Sequence, residues 1–234
     1  ISFSIIVAFS TSSLSIAQLS DFVRSNNATV KIRKDSLAAM RKTRDILVRE
    51  SARRPIYGVN TGFGPMVTRI IDNESHTQLQ YNLVRGHAVG MGSPIEDDYV
   101  LAAMIVRLNT LVKGASCATP ELAATLETFI NERIAPIVPE HDAVGTSGDL
   151  VQLAHIALAL IGEGQATHNG ATHKVASLIK KLGIKPHDLG PKEGLSLING
   201  TSVMSGIGAL LVSDAERALQ IAIRLGAAAL ELVR

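Results

Sequence analysis

A mainly α-helical fold is what this sequence predicts, on three observations. Apolar residues recur at helical spacing in one segment after another, helix-start residues precede several of those segments, and the one good hairpin signal is Asn169-Gly170 in "GEGQATHNGATHK". From Thr201 onward, "SVMSGIGALLVSDAERALQIAIRLGAAALELVR" reads as one long helical pattern. Asp214, Glu216 and Arg217 interrupt it too often for a bilayer span.

The elements follow in order. The opening "ISFSIIVAF" is short, lacks a basic leader and is followed by Ser and Thr, so it reads as a strand or a processed end rather than a signal peptide. "SLSIAQLSDFVRS" places Ile16, Leu19 and Phe22 at helical spacing. "KDSLAAMRKTRDILVRE" offers Asp35 or Ser36 as an N-cap ahead of Leu37, Met40 and Leu47. "RRPIYGVNTGFGP" breaks the period with Pro55, Gly58, Gly62, Gly64 and Pro65 and predicts a loop. Helices are predicted over 75–89 and 96–112, the second ending at Gly114. Thr119 caps the next, with Pro120 at its first position and Leu122, Leu126, Phe129 and Ile130 inward; Pro136 and Pro139 stop it. A start at Ile rather than Met, and a stop at Arg234 inside an apolar-periodic helix, predict that both ends are cut.

Composition narrows the function. A chain of 234 residues that is 46% apolar can bury a sizeable core. With 23 Lys and Arg against 21 acids, and 3% aromatics, it has neither a basic field nor base-stacking rings, so no nucleic-acid partner is expected. No segment predicts a membrane span, and a small-molecule partner is the expectation. Cys117, the one cysteine, cannot form an internal disulfide, and no Cys/His cluster has zinc-finger spacing, which points to the cytoplasm. His168 and His173 flank the hairpin turn with no third ligand in sequence reach, so no metal is expected. His155, inside an apolar helix, reads as a hydrogen-bonded core residue, and Cys117 as a small packed side chain.

Three polar stretches stand at element boundaries: the glycine loop around Tyr57 and Asn60, the "GTSGD" turn before "LVQLAH", and "GLSLINGTSVMSG", where Asn199 precedes a new helix. The glycine loop is not a dinucleotide fingerprint, because Pro65 and Met66 break the spacing, and alone it reads equally well as an ordinary turn. "GTSGD" is not a nucleophile elbow either, since Asp149 stands where the last Gly belongs. By itself Ser147 reads first as a helix cap.

Taken together, "YGVNTGFG" (57–64), "QYNLVRGHAVGMG" (80–92), "GTSGDLVQLAH" (145–155) and "EGLSLINGTSVM" (193–204) resemble, in order and spacing, the N-terminal half of the histidine and aromatic amino acid ammonia-lyase family. The resemblance implies a mainly helical fold of the fumarase/aspartase-like superfamily, with residues 1–200 as the domain bearing the prosthetic group and 201–234 as the start of a central helical bundle. It implies a methylidene-imidazolone (MIO) made autocatalytically from Thr146, Ser147 and Gly148, with no metal or dissociable cofactor. The Gly148 nitrogen would attack the Thr146 carbonyl carbon, two waters would leave, and Asp149 could shuttle protons. Thr146 departs from the family's usual Ala, though only its carbonyl enters the ring. Cys117 in "GASCATP" stands where related chains commonly carry Gly, which implies either strain in that turn or an engineered or divergent sequence.

By the same motif matches, Tyr57 is the base that takes the β-proton and Asn199 holds the amine or the MIO. Gly64, with Gly62, lets the loop pack over the cleft, and His87 faces the substrate ring. An imidazole there suits an imidazole or a phenol, so the resemblance implies histidine as the first substrate, tyrosine as the second, and an aromatic aminomutase as the third reading. It also implies a homotetramer whose sites are shared between subunits. The rival of another class is a catalytically silent helical assembly module, because the family's carboxylate-binding arginine falls beyond Arg234.

Overall fold

Nine amphipathic or wholly apolar stretches become helices in the computed structural model, which describes residues 5–9, 14–25, 27–72, 75–141 and 148–233. β1 (Ile5–Phe9) pairs in parallel with β2 (Ala28–Ile32), Ile5 opposite Ala28 and Phe9 opposite Ile32. Between them, α1 (Ile16–Arg24) opens on a capping box: Ser15 Oγ accepts the Gln18 N–H at 3.2 Å, and Gln18 Oε1 accepts the Ser15 N–H at 3.0 Å. β2 turns Ala28, Val30 and Ile32 inward. Side chains from α5 (Pro120–Asn131) bond to its backbone: Asn131 meets both the N–H and the carbonyl of Val30, and Glu127 accepts the Ile32 N–H at 2.7 Å.

The start of α2 (Lys34–Ser51) corrects the sequence reading. Its N-cap is Arg33, without a side-chain cap, whereas Asp35 and Ser36 lie inside the first turn. Asp35 still acts there, accepting the Ser36 N–H and pairing with Arg33 at 2.9 Å, a negative charge at the helix's positive end. Thr119 does cap α5, accepting the Leu122 N–H at 3.2 Å ahead of Pro120.

Two helices are apolar nearly all round and therefore sit in the core. α4 (Asp97–Leu111) buries Val100 through Ile105, Leu108 and Leu111, packed by α1, α5 and α9 (Ser202–Leu232). α6 (Leu150–Leu160) runs beside α3 (His76–His87) and α8 (Glu193–Ile198). Each fully buried Leu or Phe here, such as Leu108 or Phe129, contributes roughly 2–3 kcal/mol.

The hairpin forms as predicted. β4 (Gln165–His168) and β5 (Ala171–Lys174) are joined by Asn169 and Gly170 at φ 51° and 75°, the two positive values a type I′ turn needs. β3 (Ala135–Pro136) adds an antiparallel third strand, and α7 (Val175–Leu182) leaves β5 directly. α9 is buried at intervals as far as Leu210, but from Asp214 on every described residue is exposed. Among the described residues, no helix is long and apolar enough to cross a membrane.

Candidate active site

Thr146 and Ser147 lie outside the described residues; Gly148 and Asp149 lie within them. Asp149, not Ser147, is the N-cap residue of α6, and it makes no side-chain bond to that helix. Gly148 has φ +81°, and a Cβ there would come within 2.6 Å of Thr201 Cγ2 and 2.8 Å of the Gly200 carbonyl oxygen, so only glycine fits. It forms a parallel bridge with Gly200, and the Asp149 N–H donates to Gly200 O at 3.0 Å.

The Asp149 carboxylate reaches across to the other helix. Its Oδ2 accepts the N–H groups of Val203 at 2.8 Å and Met204 at 3.0 Å, in the first turn of α9. The N-termini of α6 and α9 therefore lie side by side, with both positive dipole ends at Gly148. The carboxylate proposed for a proton shuttle is thus fixed by two backbone donors.

Arg107 of α4 sits beneath this junction, 4% exposed. Its Nη2 donates to the carbonyls of Ser196 and, at 2.7 Å, Asn199, placing a cation at the C-terminal end of α8. Burial pushes the guanidinium down to about 10, against the opposing pull of Asp149, so it remains charged at neutral pH. Its Nε is buried without a hydrogen-bond partner among the described residues. Asn199 presents an exposed side chain beside Gly200.

In the glycine loop, Tyr57 is 47% exposed. Its hydroxyl oxygen accepts the Gly64 N–H at 3.2 Å, and its ring meets Phe63 edge-on at 6.1 Å. Asn60 is consumed by the loop itself: Oδ1 accepts the Ile56 N–H, and Nδ2 donates to Ser51 O and Arg54 O. Gln80 of α3 donates from Nε2 to Gly58 O and accepts the Leu195 N–H of α8 at Oε1, both at 3.2 Å.

His87 closes α3. Its Nδ1 lies 2.8 Å from Leu83 O, which takes Nδ1–H as donor and leaves Nε2 of the neutral ring as an acceptor. His155 accepts the Gly90 N–H at Nε2, and burial pushes its pKa down, so it reads as a half-buried structural group. No hydrogen bond among the described residues joins Tyr57 or His87 directly to Gly148 or Asn199.

A cleft of about 460 Å³ opens beside Asp149, walled by Ile95, Glu140, Gln152, Val203 and Met204. A hollow of about 350 Å³ against α2, by Arg44, Ser51 and His76, holds none of the sequence-predicted site residues. Among the described residues, no group of three or more His, Cys, Asp or Glu could hold a metal ion.

Sequence reasoning assigned no role to three buried polar residues. Gln80 and Glu193 stand inside the quoted motifs, and Arg107 is a charge within the apolar run "AAMIVRL". Glu193 is 1% exposed and accepts four bonds, from the Thr119 N–H and hydroxyl, the Gly190 N–H at 2.8 Å and His187 Nε2 at 3.0 Å. Burial pushes its carboxyl up, but the bonds from His187, Thr119 and Gly190 outweigh this and hold it down at about 2.

Residues 14–234 match the family model for aromatic amino acid lyase. The chain is 45% identical over 184 residues to a probable histidine ammonia-lyase of Thermoplasma volcanium, an alignment covering 79% of this chain and 37% of that protein. It is 46% identical over 172 residues to the tyrosine 2,3-aminomutase of Chondromyces crocatus, covering 74% and 32%. Its fold superposes on the tyrosine aminomutase of Streptomyces globisporus with a TM-score of 0.82 at 38% identity, over 89% of this chain and 39% of that one. The chain spans 32% to 39% of the length of these relatives.

Proposed function

The chain belongs to the aromatic amino acid lyase family, and on that premise we propose that it carries the electrophile-forming part of an ammonia-lyase acting on histidine or a related aromatic amino acid, with an α,β-unsaturated acid as product. The observation that carries the reading is Gly148, held at a positive φ where no side chain fits and where the N-termini of α6 and α9 converge. An autocatalytic ring needs an unobstructed amide nitrogen at that position, and two helix N-termini favour negative charge developing there. An MIO formed from Thr146, Ser147 and Gly148 would supply an electrophilic methylidene that turns the amino group into a good leaving group.

The chain's own residues do the rest. Tyr57 takes the β-proton, its oxygen oriented by the Gly64 N–H. Asn199 orients the amine from the α8–α9 junction, where Arg107 holds its backbone carbonyl. Asp149 locks the two helix ends together, which leaves proton shuttling to it only when those bonds loosen. His87 offers Nε2 as an acceptor to the N–H of an imidazole or the O–H of a phenol, which ranks histidine and tyrosine above phenylalanine.

A second reading, an aminomutase that re-adds ammonia at the β-carbon, is favoured by the 46% identity to a tyrosine 2,3-aminomutase. In either case, residues 1–200 form the domain that bears the group and 201–234 begin the bundle. The exposed apolar residues Leu219, Ile223 and Leu230 of α9 support its assembly into a homotetramer. Cysteine usage supports a cytoplasmic setting.

Intact-mass measurement of the full-length protein tests the reading. We expect a mass two waters below the sequence value, restored in Ser147→Ala together with loss of nearly all elimination. An unmodified wild-type mass, or full turnover by Ser147→Ala, would refute it.

A further inference from the structure

The Tyr57 loop and the Asn199 end of α8 are joined by one buried side chain. Gln80 is fully buried, with Nε2 on the Gly58 carbonyl and Oε1 on the Leu195 N–H, each at 3.2 Å. Gly58 directly follows Tyr57, and the Leu195 carbonyl in turn accepts the Asn199 N–H at 3.0 Å. The loop rests hard against α8: at Gly58, φ +69°, a Cβ would come within 2.4 Å of Leu195 Cδ2. A flipped amide would set donor against donor and acceptor against acceptor, so its orientation is fixed.

We propose that Gln80 is a positioning residue of the reaction, setting the separation of the Tyr57 phenol from the Asn199 side chain. This rests on the reading in which those two residues handle the β-proton and the amine. Neither bond touches substrate; both act by fixing where the Tyr57 loop sits on α8. A displacement of about 1 Å in such a pair lowers turnover on the order of 100-fold, and among the described residues the loop's other hydrogen bonds, such as those of Asn60 to Ser51 O and Arg54 O, tie it to itself and to the end of α2, not to α8.

Two variants of the full-length protein separate positioning from mere stability. Gln80→Met keeps the length and removes both bonds. We expect kcat to fall roughly 10- to 100-fold with KM changed only a few-fold. Gln80→Glu is the conservative rescue. When neutral, its carboxyl donates O–H to Gly58 O and accepts from the Leu195 N–H, reproducing the amide; when ionised, it still accepts from Leu195 but sets its other oxygen, now an acceptor, against the Gly58 carbonyl. Burial favours the neutral form, which brings the transition towards working pH.

The kcat ratio of Gln80→Glu to wild type should therefore be highest at low pH and fall as pH rises, while the ratio for Gln80→Met stays low and flat. Titratable and charged groups on the packed elements are common to wild type and variants and cancel in the ratio: His76, Arg85 and His87 on α3, Asp149 and His155 at α6, Lys192 and Glu193 at α8, and Tyr57 in the loop. Protection of the Leu195 amide against hydrogen exchange gives a readout free of turnover. It should drop in Gln80→Met and follow pH in Gln80→Glu.

A pH-independent ratio for Gln80→Glu, or wild-type kcat in Gln80→Met, overturns the proposal. Turnover that survives Tyr57→Phe overturns the underlying reading instead, and the proposal with it. Turnover lost in Tyr57→Phe with a flat Gln80→Glu profile overturns the proposal alone.

Discussion

Glu193→Gln should destabilise the chain by about 3 kcal/mol at neutral pH, by two routes that agree. The native carboxyl is held at about 2 instead of the usual 4.5, which at ~1.4 kcal/mol per pH unit amounts to ~3 kcal/mol. The second route counts bonds. Each carboxylate oxygen accepts two donors, Thr119 N–H and hydroxyl on one, Gly190 N–H and His187 on the other. An amide turns one of those oxygens into a donor, so the backbone N–H of Thr119 or of Gly190 loses its partner. That costs about 1–3 kcal/mol, with the lost charge assistance added. The sign follows from proton binding: between pH 2 and 4.5 the unfolded chain holds a proton there that the folded chain does not. The contribution is therefore complete above about 4.5 and lost as pH falls through about 2. Urea unfolding at pH 7 and pH 3, followed by far-ultraviolet circular dichroism, should show the gap between wild type and variant shrinking to less than half at the lower pH. A gap under ~1 kcal/mol at pH 7, or one unchanged at pH 3, would refute the reasoning.

Two further outcomes are expected. His87→Leu should move substrate preference towards phenylalanine, measured as kcat/KM ratios across histidine, tyrosine and phenylalanine, because the ring donor loses its acceptor at Nε2; unchanged ratios would place His87 outside the ring pocket. Cys117→Gly should raise the melting temperature, with a gain of up to about 1 kcal/mol, since Cys117 sits at φ +58° and relief of left-handed strain exceeds the extra chain entropy of glycine. The turn is braced through backbone carbonyls, by Arg44 on Cys117 and Lys192 on Ser116, so a fall in stability would show that the half-buried thiol contributes more than its backbone costs.

The helical frame was legible in the sequence because periodicity and caps are local signals. Thr119-Pro120, the Asn169-Gly170 turn and the run after Thr201 each specify an element within a few residues. Two-residue β3 carries no such signal; its pairing with β4 is settled by tertiary contact 30 residues away in sequence. The start of α2 was misplaced because Asp35 satisfies the expected chemistry from inside the first turn as well as it would from the cap. At the site, motif matching names Tyr57, Gly148 and Asn199 as candidates. It could not find that Asp149 caps a helix 50 residues downstream, since an N-cap bond made across the fold leaves no spacing in the sequence.

The same reasoning accounts for the three buried polar residues and for where the site's accuracy resides. α8 is six residues long, too short to persist on its own, yet it carries Asn199 and leads into α9. Its first turn is tied to α5 by Glu193, its middle to α3 by Gln80 and its last carbonyls to α4 by Arg107. Three tethers from three helices fix both the position and the rotation of so short an element, where apolar contact through Leu197 and Ile198 would fix mainly its depth. Each tether is a polar group placed in the core, where leaving it unpaired is expensive. That cost is what makes the arrangement single-valued: a displaced α8 would strand an amide, a carboxylate and a guanidinium together, so small displacements of Asn199 are opposed far more steeply than packing alone would oppose them.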